Sequence, residues 1–314
     1  MKNNSAIFYE KAILALIDKL PLNNGKTKTR IHRPRFVFLC GKGIINTGQS
    51  LEQTNRGAIK QYISNKESNI KFAISEELWD DETYNESIDL LSFEEFLAEV
   101  SDYIILLVES MGSVCELGAF SSVENNIGFI KKMIIILDRK YEKDKSFIIT
   151  GPVMKAQRCG ASVIYADIED GAVMLSKELL IKLDSIVADT RKAHYYKPNI
   201  DNNVINLYSF ILEIIEILQL LQPMSSKEVI TVYKHLRRIE KFDLPHSINI
   251  EYIFNFLEKT KIVKKINNNF ILIGDWTFKK SIFSCSSFDF NKTRNLILAK
   301  RFKYKGRDCC HELC

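Results

Sequence analysis

The sequence has no apolar run clean enough to cross a bilayer as a helix. Its most apolar stretch, Val204 to Leu221, carries Glu213 and Glu216, and isolated carboxylates are costly in hydrocarbon. No secretory leader is legible either. The partly apolar opening, Met1 to Leu20, is interrupted by Glu10, Lys11, Asp18 and Lys19, while Ile13, Leu16, Ile17 and Leu20 recur at helical spacing. That pattern predicts an amphipathic helix. Seven cysteines, an odd number scattered over 314 residues, do not form a disulfide framework and predict a reducing, cytoplasmic setting. Cys309, Cys310, His311 and Cys314 lack the spacing of a zinc site, so neither a metal nor a cofactor is expected. Cys115 has no histidine near it in sequence and reads as a small packing residue rather than a nucleophile. There is no internal repeat. With 46% apolar and 26% charged residues, nothing suggests disorder on a large scale.

The charge is unevenly distributed. The formal net charge is +5, yet Ser226 to Cys314 holds 18 Lys and Arg against 9 Asp and Glu, leaving 26 basic and 30 acidic residues before it. A basic rear behind a slightly acidic front suits a polyanionic partner; solvated surface lysines are the alternative.

The front alternates between strands and helices. Arg35 to Cys40 (RFVFLC), Ile70 to Ile74, Tyr103 to Val108 (YIILLV), Met133 to Leu137 (MIIIL) and Val163 to Tyr165 are short apolar or β-branched runs, as in strands buried on both faces. Helical spacing lies between them, about Leu51 to Ser64, Phe93 to Val100 behind a Ser92/Glu95 capping box, and Val173 to Ala188. The class is α/β, a Rossmann-like parallel sheet. The expected organisation is a catalytic domain over 1–193, a linker over 194–203 (HYYKPNIDNN), and a smaller α+β domain over 204–314. In that rear part, helices are expected from Ile205 to Leu221, from a cap at Ser225 or Ser226 to Arg238, and from Ile248 to Thr260. Ile262 to Ile266 and Phe270 to Ile273 around an Asn-rich turn signal a hairpin. Three helices and a hairpin follow the order of a winged helix-turn-helix, with Lys264 and Lys265 on the wing as candidate nucleic-acid contacts. From Lys279 to Arg307, basic residues interleave with aromatics, which suits either stacked bases and phosphates or a helix covering the core.

Two stretches follow strand ends, where open parallel sheets bind ligands. Gly41-Lys42-Gly43 gives G-x-G without the third glycine of a dinucleotide fingerprint, and no P-loop lysine follows. A tight turn explains it equally well. Glu109-Ser110-Met-Gly112-Ser113-Val-Cys-Glu116-Leu-Gly118-Ala119-Phe120 follows the third strand. Ser113 and Glu116 have capping-box spacing, so Glu116 either closes the helix start or places an ionised carboxylate there for attack on a sugar C1′. Gly112 would admit a ligand to the backbone, and Gly118 with Ala119 would let the helix approach the sheet. Glu76, Glu77, Asp80 and Asp81 could reach a ribose or form a solvated acidic loop.

The stretches FVFLCGKG, SDYIILLVESMGSVCELGAF and KKMIIILDRKYEKDKSFIITGPV resemble the nucleoside-deoxyribosyltransferase-like effectors of bacterial retrons, and more distantly the nucleoside 2-deoxyribosyltransferases. The matching blocks lie between Phe36 and Val153. The resemblance implies that Glu116 is the nucleophile and that Asp102 helps bind the sugar. Gly41, Lys42, Glu109, Ser110, Gly112 and Ser113 would then line the substrate. The transferases carry a longer loop with an aspartate where this chain offers Glu109 and Ser110, a departure that favours hydrolysis of a nucleoside or nucleotide such as NAD over transfer. It further implies a winged-helix-like rear domain, a reverse transcriptase and its branched RNA–DNA product (msDNA) as partners, an oligomer or higher-order assembly, and antiphage toxicity released on infection. Two other functions remain open: a non-catalytic nucleotide sensor, and a winged-helix regulator whose front only assembles oligomers.

Overall fold

A computed structural model of the chain describes residues 14, 15, 17, 18, 29–31, 34–43, 50–67, 69–79, 88–122, 127–169, 172, 173, 176–190, 194–196, 206–239, 244, 248–273 and 289–305. The chain forms two compact units, one of residues 34–192 with 246–248, the other of 1–33, 193–245 and 249–314.

In the first unit the apolar runs pair as five parallel strands: β1 (Arg35–Cys40), β2 (Ile70–Ala73), β3 (Tyr103–Val108), β4 (Met133–Asp138) and β5 (Ser162–Ala166). Their order is β2-β1-β3-β4-β5. The chain leaves β1 toward one edge and later returns past it to β3, so a topological switch point lies between the carboxyl ends of β1 and β3. Every residue of β1 is buried, which is why the run shows no polar alternation.

Four principal helices cover this sheet: α1 (Asn55–Lys66), α2 (Leu90–Val100), α3 (Met111–Ser122) and α4 (Lys177–Thr190). On one face Ile59 and Ile63 of α1 and Leu179, Leu183 and Ile186 of α4 share a core with Val37, Leu39, Ile105, Leu107, Ile134 and Ile136. Right-handed crossovers send α2 and α3 to the other face, where Phe120 meets Phe38 edge-on at 6.1 Å. Thr54 caps α1, its Oγ1 accepting from Gly57 N at 3.1 Å. Gly57 is required by a close approach, since a Cβ there would lie 1.9 Å from the Leu51 carbonyl oxygen. Two helices begin earlier than their sequence signals. Asp89, not Ser92, caps α2 and accepts from Ser92 N at 2.8 Å; α3 begins at Met111, ahead of Ser113.

In the second unit Thr29–Ile31 pairs antiparallel with His194–Tyr196. A strand therefore occupies the first three residues of the stretch read as a linker. Helices α5 (Leu207–Leu221), α6 (Ser226–Arg237) and α7 (Ile250–Lys259) precede a hairpin of β6 (Val263–Ile266) and β7 (Asn269–Leu272). Its turn is Asn267-Asn268, with φ of 47° and 62°, values that asparagine tolerates better than most residues. Ser225 caps α6 in a capping box with Glu228. The all-apolar look of α5 reflects burial nearly all round, and its buried Glu213 accepts from Arg237 Nε at 2.8 Å. A last helix, α8 (Phe290–Lys305), packs against α5 and buries Ile297. Among the described residues no helix is long and apolar enough to cross a membrane.

Candidate active site

The segments after β1 and β3 meet over the switch point, and Glu109 joins them. Its Oε1 accepts from Lys42 N at 3.1 Å, and its Oε2 accepts from Asn55 Nδ2, at the start of α1, at 2.7 Å. The backbone of Gly41, at φ +155°, runs so close that a Cβ there would lie 3.1 Å from Glu109 Oε1 and 3.1 Å from Arg56 Cγ.

Ser110 and Ser113 build the start of α3. Ser110 Oγ accepts from Ser113 N at 3.2 Å, and Ser113 Oγ accepts from Ser110 N at 2.9 Å and Glu109 N at 3.0 Å. The cap is thus Ser110, with Ser113 three residues on as its reciprocal partner. This corrects the reading of Ser113 and Glu116 as a capping box. Glu116 stands one turn deeper, without the first-turn amides that would hold it ionised.

Glu116, partly buried, instead joins a cluster drawn from three strand connections, in which Arg56 and Glu94 are buried and Glu76 is exposed at the rim. Arg56 of α1, 1% exposed, donates from Nη1 to Glu76 Oε2 at 2.9 Å and from Nη2 to Glu76 Oε1 at 2.6 Å. Glu94, in the first half of α2, is 7% exposed. Burial pushes Glu116 up to about 8, helped by the charges of Glu94 and Glu76 and opposed by Arg56. Burial likewise lifts Glu94 to about 7; Ser75 works against the shift and Glu76 adds to it. Burial acts to raise Glu76 too, but its bonds to Arg56 win and hold it below the usual range. Cys40, fully buried at the end of β1, has its thiol raised by burial and then by Glu116. Near neutral pH, Glu116 and Glu94 therefore hold roughly one proton between them. Glu116 Oε2, Arg56 Nε and Asn55 Oδ1 are buried without a hydrogen-bond partner, an arrangement native interiors rarely leave unexplained.

A cavity of about 670 Å³ opens beyond β3 and β4, lined by Lys42, Asn55, Glu109, Ser110, Met111, Val114, Asp138, Lys140 and Tyr141 among others. It is large enough for a nucleotide-sized ligand. Glu116 is not one of its walls. Glu109, held by Lys42 and Asn55, borders this cavity.

Asp102 does not join the group. It stands at the amino-terminal end of β3, where Oδ1 accepts from Arg35 Nη1 at 2.7 Å and Oδ2 from Phe36 N at 3.0 Å. Its position does not suit sugar binding, since the switch point lies at the other end of the strands. Gly118 is not needed for close packing, because a Cβ there would meet nothing within 4 Å. Cys115 is exposed rather than packed. Of the acidic loop, Glu76 binds Arg56 and Glu77 meets Lys60 Nζ at 3.2 Å; Asp80 and Asp81 lie outside the described residues. So do Cys309, Cys310, His311 and Cys314. Lys264 and Lys265 are both exposed on β6, but successive strand residues face opposite sides, and Lys265 Nζ sits 5.9 Å over the Phe270 ring. Asn55, Arg56, Glu94 and the Lys140-Tyr141 wall were not legible as site residues. Arg56 in a polar helix start and Glu94 in an amphipathic helix look like surface until Glu76 and Glu116 are brought to them.

The fold and cluster define an open parallel α/β domain with a carboxylate site at its switch point. The chain belongs to the STM3845 retron effector protein family, whose match covers residues 52–265. It is 35% identical over 162 residues to a retron Ec86 protein of Escherichia coli, and 33% identical over 135 residues to a retron Ec73 protein of the same organism. The name of each proposes a ribosyltransferase/DNA-binding protein. The matches cover 51% and 42% of this chain, and 48% and 41% of those relatives. The aligned part is thus under half the length of either.

Proposed function

We propose that this retron effector breaks the N-glycosidic bond of a nucleoside or nucleotide, such as NAD, with Glu116 as the attacking carboxylate. The observation that carries this reading is a buried Glu94 and a Glu116 whose Oε2 is buried without a partner, in one cluster with an Arg56 charge already committed to Glu76. Two carboxyls raised to about 8 at Glu116 and about 7 at Glu94 can share a proton, and the attacking form is the one in which that proton sits on Glu94 although Glu116 is the weaker acid. Glu116, as carboxylate, bonds to C1′ while the C1′–N bond breaks and Glu94 passes its proton to the departing base. Water then gives a proton to Glu94 and its hydroxyl to C1′, releasing Glu116. A leaving group that is already cationic, as the nicotinamide of NAD is, needs no proton, and Glu94 then serves only the second step. The 670 Å³ cavity is the space proposed for the rest of the substrate, with Glu109 and Ser110 at its edge. The relatives' names, which propose ribosyltransferases, support the bond type.

The basic rear, read as a winged-helix-like domain, is proposed to bind the branched RNA–DNA product of a retron reverse transcriptase, whose complex restrains the enzyme until infection. Consumption of a common nucleotide would poison an unrestrained host. Incubating the protein with nucleosides, nucleotides and NAD, then separating released base by chromatography, tests the activity. Co-expression with and without reverse transcriptase and msDNA, scored by growth and nucleotide levels, tests the restraint. No released base from any substrate, or equal growth in both conditions, would remove the respective claim.

A further inference from the structure

Glu109 and Asn55 both line the cavity and hold each other. Glu109 Oε1 accepts from Lys42 N at 3.1 Å and its Oε2 from Asn55 Nδ2 at 2.7 Å, both neutral N–H groups. Asp138, another lining residue, is instead neutralised by Lys140 Nζ at 2.9 Å. A carboxylate has about four lone-pair sites, of which the two bonds to Glu109 fill half. Because it only accepts, the Asn55 amide must turn Nδ2 to it. Asn55 Oδ1 shares its carbon with Nδ2 and so lies within about 5 Å of Glu109 Oε2. That oxygen is buried with no hydrogen-bond partner, in a residue 5% exposed. The backbone after β1 closes the other side, since a Cβ at Gly41 would lie 3.1 Å from Glu109 Oε1, and the carboxylate has no room to turn that way. This corner of the cavity offers acceptors and lacks a donor. Phosphate and carbonyl oxygens, which only accept, do not suit it, and a phosphate would be repelled by the carboxylate.

We propose that Glu109 and Asn55 select the substrate by binding a neutral group that donates two hydrogens, either the amine or amide of a base or the paired hydroxyls of a ribose. The inference rests on the cavity as the substrate space and not on attack by Glu116. One hydrogen goes to an open lone pair of Glu109 and the other to Asn55 Oδ1. Asn55 also positions the carboxylate through Nδ2. A carbonyl oxygen in place of the donor sets acceptor against acceptor, and a bare hydrogen leaves Asn55 Oδ1 unmet. Either change is expected to cost about ten- to a hundredfold in affinity.

The test is calorimetric binding to the full-length Glu116→Gln protein, in two arms. One compares AMP with IMP, CMP with UMP, and NAD with nicotinic acid adenine dinucleotide, in which oxygen replaces the amine. The other compares AMP and CMP with their 2′-deoxy and 3′-deoxy forms. The arm that responds tells base from ribose. The same measurements are made with Glu109→Gln added, since glutamine can turn either an N–H or an oxygen to the ligand. A preference of about fivefold or more in at least one arm, reduced at least about threefold by Glu109→Gln, supports the assignment. Smaller preferences throughout, a smaller reduction in Glu109→Gln, or no binding of any probe overturns it. Should Glu109→Gln fail to fold, analogues with fluorine at the responding position decide. Fluorine cannot donate, so they are expected to bind as weakly as the replaced forms, and undiminished binding overturns the proposal. Turnover is followed separately in the protein that retains Glu116. Its absence beside a preference that depends on Glu109 removes the attack by Glu116 and leaves the donor-reading corner standing; turnover without such a preference removes the corner alone.

Discussion

Arg56 and Glu76 face each other through two parallel hydrogen bonds of 2.9 and 2.6 Å, although one opens a helix after β1 and the other follows β2. A bidentate pair of this kind is strong and directional. It keeps Glu76 ionised, whereas Glu94 and Glu116 titrate high because burial disfavours their charged forms, with neighbouring carboxylates adding to the shift and Arg56 opposing it at Glu116.

Glu116→Gln is expected to fold and to lose base release by about 10⁴-fold or more, because an amide cannot form the glycosyl intermediate. It should also be the more stable protein at alkaline pH. The folded-state value of Glu116 is raised to about 8 from 4.5, so its ionisation costs stability progressively as pH rises from about 4.5 to 8. Glutamine removes that cost. Thermal melts should show a gain over wild type at pH 8.5 and little difference at pH 4.5; a gain independent of pH would contradict burial of a titrating acid.

The rate of base release from a neutral nucleoside should be bell-shaped, with limbs near 7 and 8, because the reaction needs one proton on the Glu94/Glu116 pair. Below the lower limb both carboxyls are protonated and Glu116 cannot attack. Above the upper limb neither holds a proton, so Glu94 has none to give. Glu94→Gln should remove the two-limbed shape and slow hydrolysis by about 10²- to 10⁴-fold. An unchanged kcat/KM profile in that variant would exclude Glu94 from the chemistry.

Asp102→Ala should destabilise the fold without altering the chemistry. The side chain anchors Arg35 and the Phe36 amide, and Arg35 also reaches Asp189 Oδ2 at 3.6 Å. Removing one partner of such a buried pair costs about 3–5 kcal/mol. Denaturant unfolding should show that loss, while kcat/KM per folded molecule stays within about threefold. A selective rise in KM with unchanged stability would restore the sugar-binding role.

Charge reversal at Lys264 and Lys265 in the full-length chain should weaken binding to a branched RNA–DNA and flatten its dependence on salt. Each phosphate that is no longer neutralised lowers the slope of log K against log salt by about one. The full chain is the proper subject, since Thr29–Ile31 supplies the partner of His194–Tyr196 and a fragment from residue 204 would lack that pair. Because the two lysines face opposite sides of β6, single reversals should differ. Equal, salt-insensitive binding in all variants would remove the hairpin from the interface.

The three central strands were readable in the chain alone because strands buried on both faces must be apolar throughout and short, and the two edge strands, partly exposed and carrying Lys71 and Ser162, still showed as short β-branched and aromatic runs. The three rear helices and their hairpin were readable too, through Ser225, Pro223 and the Asn-rich turn. The helix starts were less so. Asp89 and Ser110 outcompeted Ser92 and Ser113 as caps, since a capping motif is satisfied by any suitable side chain three residues ahead of a free amide, and sequence offers several.

For the site, the chain by itself singled out Glu116, Glu109, Ser110 and Gly41, since each follows a strand end and the order of strands makes those ends converge. Protonation and pairing were decided only in three dimensions. Whether Glu116 is ionised depends on the water removed from it and on Glu94, 22 positions earlier; whether Arg56 is a surface charge or a buried clamp depends on Glu76. Asp102 shows the same limit from the other side, because its residue type suits a sugar while its place at the wrong end of β3 gives it to Arg35. Local sequence determines which segments can be strand or helix, since that preference is carried by neighbouring residues. Dielectric, charge coupling and the end of the sheet a carboxylate occupies are sums over groups distant in the chain, and only the tertiary fold performs that sum.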